Sequence, residues 1–284
     1  MTDDGERASM PGELAAAALA EHAHLRDAAL VVGRCIAEAR GRPADADVHL
    51  EVEARFGRRD AAGNFVADVG ADAFAALLHM AESYDGWSNR PSWQETRDVF
   101  YLLRLGADEQ GVVQARSTIA SHAGRVVATH VVKKRLRNVD LALVSCDEAA
   151  DAPACQLDAR VSTSIERPVP PELLPAAVRP DRVRIKQRKR FLLGSLGVDR
   201  DVFAFDFTLA YSGASASDAE ANQSAAARPT HEVEIECLRP QEYLDSCGGE
   251  ESYLGLSLVL KLVDYASALN QQAAVAYVPA GPRL

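Results

Sequence analysis

The chain has few aromatic residues, a small and odd number of cysteines, and no excess of positive charge. Among its 284 residues, five are cysteines and 6% are aromatic. Cysteines without paired spacing exclude a disulfide-stapled secreted framework and predict a reduced, intracellular setting. With 31 Lys and Arg against 41 Asp and Glu, the formal net charge is -10, which argues against a long groove that follows a nucleic-acid backbone. A local basic pocket for one charged chain end remains compatible with this balance.

The sequence also lacks a long uninterrupted hydrophobic run. The stretch 254–269 comes nearest, but it contains Ser257, Lys261 and Asp264, so it is not typical of a transmembrane helix. Residues 1–10 are polar and lack the apolar centre of a secretory signal, and we predict that they form a disordered head. Residues 11–284 are sufficient for a single domain with a sizeable core. We expect a soluble protein.

Apolar residues recur at helical spacing in three segments and at alternate positions elsewhere. Helices are predicted at 11–40, 72–83 and 251–269. Period-two alternation predicts strands near 48–57, 99–105, 111–119, 125–136, 157–166, 182–191, 202–211 and 230–238. The stretches 146–156 and 212–229 are predicted to be loops, the second because it is rich in Ala and Ser. The pattern indicates an antiparallel α+β architecture.

Several predicted strands carry their charges on one face. The two clearest runs are Glu232, Glu234 and Glu236, and Arg184, Lys186 and Arg188. Like charges at consecutive same-face positions destabilise a strand unless opposite charge lies between them. For any one strand, a charged face exposed to water is a sufficient explanation. It explains the whole set less well.

An inward charged face would account for both runs together. Closing the sheet into a barrel would place the glutamates and the cations around one cavity. Glutamate oxygens suit Mg²⁺ or Mn²⁺, and Arg and Lys suit the oxygens of a polyphosphate. We therefore predict a closed antiparallel β-barrel of about eight strands that forms a charged tunnel, with helices packed on its apolar outer face.

An ordered series of motifs between residues 45 and 240 carries a family resemblance. The first is His49-Leu-Glu51-Val-Glu53-Ala-Arg55-Phe-Gly57. The others are Trp93 with Asp98-Val-Phe-Tyr101, Asp158-Ala-Arg-Val-Ser-Thr-Ser-Ile-Glu166, Arg184-Ile-Lys-Gln-Arg188, Asp206-Phe-Thr208 and Glu232-Val-Glu-Ile-Glu236. The series resembles the metal-dependent RNA 5′-triphosphatases of fungal-type mRNA capping systems, which belong to the triphosphate tunnel metalloenzymes. The Glu-x-Glu-x-Arg core by itself is shared with the wider superfamily.

The resemblance implies a divalent-metal site made of glutamates. Its ligands to Mg²⁺ or Mn²⁺ would be Glu51, Glu53 and Glu236. Glu232 and Glu234 would support this site or hold a second ion.

The resemblance also implies a phosphate site and a hydrolytic site. Phosphate oxygens would be bound by Arg116, Lys133, Arg184, Lys186 and Arg188. Lys134 is an alternative to Lys133, because the alternation of 129–136 does not decide which one faces inward. Asp206 and Thr208 would position cations and water in the tunnel floor, and Glu166 would orient the attacking water.

The implied reaction is hydrolysis of the γ-phosphate of 5′-triphosphate-ended RNA, the first step of mRNA 5′ capping. The implied partners are nascent RNA and an mRNA guanylyltransferase, the implied location is the nucleus, and a monomer is the expected state. Within the same superfamily, a hydrolase of inorganic tripolyphosphate or of an organic triphosphate, or a cyclase, is an alternative. Two further alternatives are a polyphosphate-binding module without catalysis and an interaction domain with an exposed charged face.

Four aromatic and imidazole side chains near the motifs have simpler explanations than a functional role. We predict that Trp87 and Trp93 pack, although either could stack a base at the tunnel entrance. His49 and His231 each precede a glutamate strand, and we expect them at the strand ends and not among the metal ligands.

Overall fold

The computed structural model describes residues 20, 22–41, 48–104, 112–122, 125–145, 157–174, 180–195, 198–225, 227–246, 248–267 and 273–277. The strands in these ranges are β1 (His49–Arg59), β2 (Phe65–Val66), β3 (Gln94–Arg104), β4 (Val112–His122), β5 (Arg125–Ser145), β6 (Asp158–Pro168), β7 (Arg182–Ser195), β8 (Val198–Gly213), β9 (Thr230–Cys237) and β10 (Ala273–Tyr277). The helices are α1 (Arg26–Arg40), α2 (Ala71–Ser83), α3 (Ala216–Ser224), α4 (Pro240–Ser246) and α5 (Glu251–Ser267). The predicted head, 1–10, and the predicted loop at 146–156 lie outside the described residues.

Eight of the strands form a closed ring. Strand β6 pairs with both β1 and β5, which closes the order β5-β4-β3-β7-β8-β9-β1-β6. Every pairing in the ring is antiparallel. The short strands β2 and β10 extend the sheet at the ends of β1 and β5. The predicted closed antiparallel barrel of the α+β class is therefore confirmed.

The main hydrophobic core lies between the barrel and the helices, not inside the barrel. On β1, Val52, Ala54 and Phe56 alternate with the charged residues and are fully buried. They belong to one apolar cluster with side chains of α1 and α5, such as Ile36 and Leu258. The strands therefore turn their apolar face outward, and the helices remove that face from water.

Helices α1 and α5 approach each other closely at two glycines. A Cβ atom added to Gly33 would lie 2.8 Å from the Cα of Ser252, and one added to Gly255 would lie 2.4 Å from the carbonyl oxygen of Ala29. Neither glycine can carry a side chain unless the helices move apart. Among the described helices, none is long and apolar enough to cross a membrane.

An aromatic cluster on the outer face of β8 includes Trp87. The Trp87 ring lies 4.9 Å from that of Phe205 and 5.2 Å from that of Phe191, measured between ring centroids. Its Nε1 donates a hydrogen bond of 2.6 Å to the carbonyl oxygen of Ala81. The predicted packing role of Trp87 is confirmed, whereas Trp93 is 44% exposed.

The prediction of a loop over 212–229 is wrong, because helix α3 occupies its centre. Ser215 caps this helix: its Oγ accepts a hydrogen bond from the backbone N–H of Asp218 at 3.2 Å. Ala219 is fully buried in an apolar cluster with Val183 and Ile185 of β7. A run of Ala and Ser resembles a low-complexity linker in composition, but alanine is also the strongest helix former and serine a good N-cap.

The other helices and strands differ in length and number from those predicted from the sequence. Strand β5 continues to Ser145 instead of ending near residue 136, since a register shift between Arg135 and Arg137 interrupts the alternation there. Strand β3 begins at Gln94 rather than at residue 99. The described residues contain five helices where three were predicted. The first begins at Arg26, and residues 11–19 of its predicted range lie outside the described part of the chain.

Candidate functional site

A charged cavity of about 520 Å³ lies inside the barrel, and we refer to it as the tunnel. Twelve of the thirteen predicted site residues line it: Glu51, Glu53, Glu166, Glu232, Glu234, Glu236, Asp206, Arg116, Lys133, Arg184, Lys186 and Arg188. The thirteenth, Thr208, is fully buried on β8 two residues from Asp206 and is not part of the lining. Within the described residues its Oγ1 has no hydrogen-bond partner. The roles of these residues remain predictions.

The register of β1 and β9 sets the arrangement of the glutamates. Glu53 lies directly opposite Glu236, and Arg55 lies opposite Glu234. Glu51 is two residues from Glu53 and therefore on the same face of the strand. Carboxylates from two neighbouring strands are thus brought together by backbone pairing.

Lys133, rather than Lys134, faces the tunnel. The Nζ of Lys133 forms an ion pair with Glu51 and lies 3.3 Å from Oε2 of Glu53. Lys134 is exposed. The inward position of Lys133 follows from its pairing with Glu166 across β5 and β6.

Two glutamates of β9, which we call the arginine-paired glutamates, have close cationic partners. Glu232 accepts a hydrogen bond of 2.6 Å from Arg184. Glu234 lies 2.8 Å from the Nε of Arg55. Burial by itself would raise the pKa of Glu234, but the nearby charges of Arg55 and Arg188 outweigh it and lower that pKa to about 2. Glu234 is therefore a stable anion without any ligand.

Three other carboxylates, Glu51, Glu53 and Glu236, form what we call the glutamate triad. Burial and the neighbouring charge of Glu53 raise the pKa of Glu51 to about 7, despite its ion pair with Lys133. Burial also raises the pKa of Glu236, and the nearby Asp206 adds to the effect, although Arg190 opposes it. Glu51 and Glu236 therefore have too little positive charge around them to offset their burial.

The glutamate triad fits a divalent cation in its chemistry. Its donors are hard oxygens. Among the described residues, Oε2 of Glu51 and Oε1 of Glu53 are buried and face only the cations Lys133 and Arg135, whose place a metal ion could take. The whole lining holds nine Lys and Arg and eight Asp and Glu, so a polyphosphate would bring excess negative charge. No three acidic, thiol or imidazole groups in the described residues converge as a preformed ligand set, because the triad carboxylates turn toward neighbouring Lys and Arg side chains.

Strand β7 contributes a row of cations to the opposite wall. Lys186 forms an ion pair with Asp98, which also accepts a hydrogen bond of 2.8 Å from Thr118. Burial and the adjacent Arg188 lower the pKa of Lys186. Arg188 lies 3.2 Å from Asp206. The acidic partners hold the row in place inside the barrel, where like charges would otherwise repel one another.

Glu166 lies near the end of the tunnel where β1 begins. Its Oε1 accepts a hydrogen bond of 3.0 Å from Arg116, and its backbone pairs with that of His49. A second cavity, of about 610 Å³, adjoins the tunnel here and shares Glu51, Glu166 and Glu236 with it. The glutamate triad can therefore be approached from this cavity as well as along the tunnel.

Arg190 is a site residue that the sequence analysis missed. It donates to both carboxylate oxygens of Asp206, at 2.7 and 2.5 Å, and to Oε2 of Glu236 at 2.8 Å. It therefore joins the β8 carboxylate to the glutamate triad. The signal was present in the sequence, because Arg190 continues the same-face row of Arg184, Lys186 and Arg188 by one more step.

Two more cations, Arg55 and Arg135, also line the tunnel without having been assigned a role. Arg55 bridges Glu53, at 3.0 Å, and Glu234. Arg135 lies 3.3 Å from Glu53 and donates to the hydroxyl of Ser162 at 2.5 Å. The alternation of β1 predicts that Arg55 faces inward. The orientation of Arg135 could not be predicted in the same way, because a register shift follows it in β5.

Solved RNA triphosphatases are similar to this structure. The S. pombe Pct1 RNA triphosphatase aligns with a TM-score of 0.58 at 18% identity, covering 86% of this chain and 93% of that one. The complex of that protein with the Spt5 CTD aligns with a TM-score of 0.57 at 17% identity, covering 86% and 94%. A mimivirus capping enzyme triphosphatase gives a TM-score of 0.48 at 11% identity, with 85% and 97% covered. No protein-family model and no curated protein matches the chain.

The similarity to the S. pombe protein extends over most of both chains, while the sequence identity is low. The resemblance drawn from the motifs is therefore confirmed at the level of the fold. The chain has the tunnel fold of the RNA triphosphatases.

Proposed function

We propose that this protein hydrolyses the γ-phosphate of 5′-triphosphate-ended RNA and releases a 5′-diphosphate end and inorganic phosphate. The observation that carries the proposal is the convergence of the glutamate triad and the β7 cations on one tunnel, within the fold of RNA triphosphatases. Phosphoryl transfer requires positioning and neutralisation of charge more than covalent chemistry. A cavity lined by both signs of charge supplies those two requirements.

The cationic wall would hold the triphosphate. Arg116, Lys186 and Arg188 reach the tunnel from β4 and β7, and their N–H groups suit phosphate oxygens. Arg184 and Lys133 would extend this contact along the chain of phosphates. All five pair with carboxylates in the structure, so bound phosphate oxygens would compete with those carboxylates for the same donors.

The glutamate triad would hold Mg²⁺ or Mn²⁺. When bound there, the cation would offset the charge of the γ-phosphate and act as a Lewis acid. Arg190 would keep one oxygen of Glu236 engaged through its 2.8 Å hydrogen bond. Glu232 and Glu234 would keep the cations of the tunnel in place.

Glu166 would orient the water that attacks the γ-phosphate. It lies between the tunnel and the second cavity, from which water can reach it. A carboxylate in hydrogen-bond reach of a water can also accept its proton. Asp206 and Thr208 would fix the cations beneath the triphosphate, through the bonds that Asp206 accepts from Arg190.

In this proposal the protein carries out the first step of mRNA 5′ capping. A guanylyltransferase would then use the 5′-diphosphate end, and the nucleus would be the site of the reaction. We expect the protein to act as a monomer.

Hydrolysis of inorganic tripolyphosphate or of an organic triphosphate is the second candidate. The tunnel interior favours it, because the four side chains that line it between Arg184 and Arg190 are all Arg or Lys and suit phosphate oxygens. These groups alone would accept any linear triphosphate.

A phosphate-release assay distinguishes the two candidates. Triphosphate-ended RNA and free tripolyphosphate are each incubated with the protein, with Mg²⁺ or Mn²⁺ and separately with EDTA. We expect cation-dependent release of phosphate from the RNA, leaving a 5′-diphosphate end, with a higher kcat/KM than for tripolyphosphate. A higher kcat/KM for tripolyphosphate would favour the second candidate. A tight, cation-dependent complex with RNA but no release would indicate a binding module.

A further inference from the structure

At one end of the tunnel an arginine lies over an aromatic ring, in contrast to the charge pairs of the interior. The guanidinium carbon of Arg182 lies 4.5 Å from the centroid of the Phe100 ring. The two residues are direct partners across β7 and β3, and both line the tunnel. Leu102 follows two residues after Phe100 on the same face of β3 and is 52% exposed. This end of the tunnel therefore offers planar and apolar surface.

Arg182 differs from the other cations of the tunnel in its partners. The eight others each form an ion pair with a carboxylate: Arg55, Arg116, Lys133, Arg135, Arg184, Lys186, Arg188 and Arg190. For Arg182, no carboxylate partner is found in the described part of the chain, and its side chain is exposed. The Phe100 ring lies on one side of the guanidinium group, and the exposed Arg182 side chain has its other side open to solvent.

The topology places this pair at the end of the tunnel opposite the second cavity. Three antiparallel pairings separate β1 from β7, so the two strands run in opposite directions and begin at opposite ends of the barrel. Arg182 is the first residue of β7, whereas His49 is the first residue of β1 and lines the second cavity. The β7 row then leads from Arg182 to Arg190, which contacts the glutamate triad.

A triphosphate whose γ-phosphate lies beside the glutamate triad can extend along this row. Successive same-face residues of a strand are about 6.7 Å apart. The two steps from Lys186 to Arg182 therefore span about 13 Å, which matches the reach of the three phosphates and the ribose. A triphosphate whose γ-phosphate is held at Lys186 would place its first nucleoside near Arg182.

We propose that the Arg182–Phe100 pair is a stacking subsite for the first nucleobase of the RNA substrate. Bases of single-stranded RNA stack on guanidinium planes and on aromatic rings without requiring a particular sequence. This subsite makes the enzyme favour a nucleotide-ended triphosphate over inorganic tripolyphosphate, which the interior groups alone do not do. The inference rests on the proposed function.

The test compares three substrates: triphosphate-ended RNA, the same RNA with an abasic first nucleotide, and tripolyphosphate. For the wild-type protein, we expect kcat/KM to be about tenfold higher for the intact RNA than for the abasic RNA, as expected for one stacked base. Arg182→Ala is expected to reduce the preference for intact over abasic RNA to within about twofold. Arg182→Lys retains the charge but not the plane, and it should lose the preference in the same way. Arg97→Ala is the matched control and should retain it, because Arg97 lies on the outer face of β3 and pairs with Glu220 of α3.

Each result decides the inference. Equal kcat/KM for intact and abasic RNA in the wild type would overturn it, and this measurement needs no variant that must fold. If Arg182→Lys retained the preference for intact RNA, the guanidinium plane would not be what holds the base, and the inference would be overturned. If the wild type hydrolysed tripolyphosphate but no RNA, the proposed function itself would fail. A wild type that preferred RNA to tripolyphosphate but made no distinction between intact and abasic RNA would contradict the stacking subsite alone.

Discussion

The two groups of tunnel glutamates share strand β9 but differ in how their charge is balanced. Glu234 is surrounded by cations, which lower its pKa to about 2, and Arg55 has the largest effect of them. Glu51 has Glu53 and Glu166 nearby and Lys133 as its cationic partner, and its pKa is raised to about 7. Glu236 resembles Glu51, since burial and Asp206 raise its pKa.

We propose that the difference corresponds to a structural role for one group and a ligand-binding role for the other. An anion that is fully paired stabilises the fold of the barrel, and its removal leaves a buried cation with too few carboxylates around it. A buried carboxylate with too little positive charge nearby is costly to the apoprotein, and a divalent cation would remove that cost. The glutamate triad and the arginine-paired glutamates should therefore respond in opposite ways to substitution.

The largest effect is expected for Glu51→Ala. Loss of one carboxylate of the triad should reduce kcat/KM for triphosphate-ended RNA by at least about a hundredfold at saturating Mn²⁺. The reason is that loss of the Lewis acid raises the activation free energy by several kcal/mol. Phosphate release measures the rate, and titration calorimetry measures Mn²⁺ binding. Glu38→Ala is the control, since Glu38 lies on the outer face, is 54% exposed and pairs with Arg137. Wild-type turnover in Glu51→Ala would show that the triad is not the metal site.

A smaller effect, on stability, should distinguish Glu234→Ala from Glu236→Ala. Removing Glu234 leaves Arg55 with Glu53 alone, and Glu53 is already shared with Lys133 and Arg135. We therefore expect the free energy of unfolding to fall by about 3 kcal/mol. Removing Glu236 leaves Arg190 with both of its hydrogen bonds to Asp206, so we expect a change below about 1 kcal/mol. Urea denaturation in EDTA measures both. Equal losses in the two variants would contradict the division into two groups.

The smallest effect is a pH dependence caused by Glu51. Its pKa is about 7 in the folded chain and near 4.5 in the unfolded chain. Between these values the folded chain binds a proton that the unfolded chain has released, so this carboxyl lowers the free energy of unfolding as pH rises from about 4.5 to about 7. Glu51→Gln should therefore stabilise the apoprotein more at pH 8 than at pH 5, by on the order of 1–2 kcal/mol.

Glu234→Gln is the matched control for that measurement. Because the pKa of Glu234 is lowered in the folded chain, its carboxylate raises the free energy of unfolding above about pH 4.5. This stabilisation is lost as the pH falls toward about 2. Its effect on stability should therefore be the same at pH 5 and at pH 8. Denaturation curves in EDTA at the two pH values check both variants, and an equal effect of Glu51→Gln at both would contradict the assignment.

Much of the candidate site follows from alternation along the strands. Because successive side chains of a strand point to opposite faces, Glu51, Glu53 and Arg55 had to share one face, as did Arg184, Lys186 and Arg188. Where the alternation is broken, prediction failed: the register shift after Arg135 concealed the second half of β5. Composition led to a wrong loop prediction for 216–224, because an Ala-rich helix and an Ala-rich linker have similar compositions.

The sequence alone determined which residue types face the interior and that both signs of charge meet there, since this depends only on local periodicity and on the repulsion between like charges. The tertiary structure decided the partners. Lys133 rather than Lys134 contacts Glu51 and Glu53, Arg190 joins Asp206 to Glu236, and Arg182 lies on Phe100. These contacts join strands that are adjacent only after the barrel has closed, so which carboxylates are balanced is a property of the closed ring and not of any one strand.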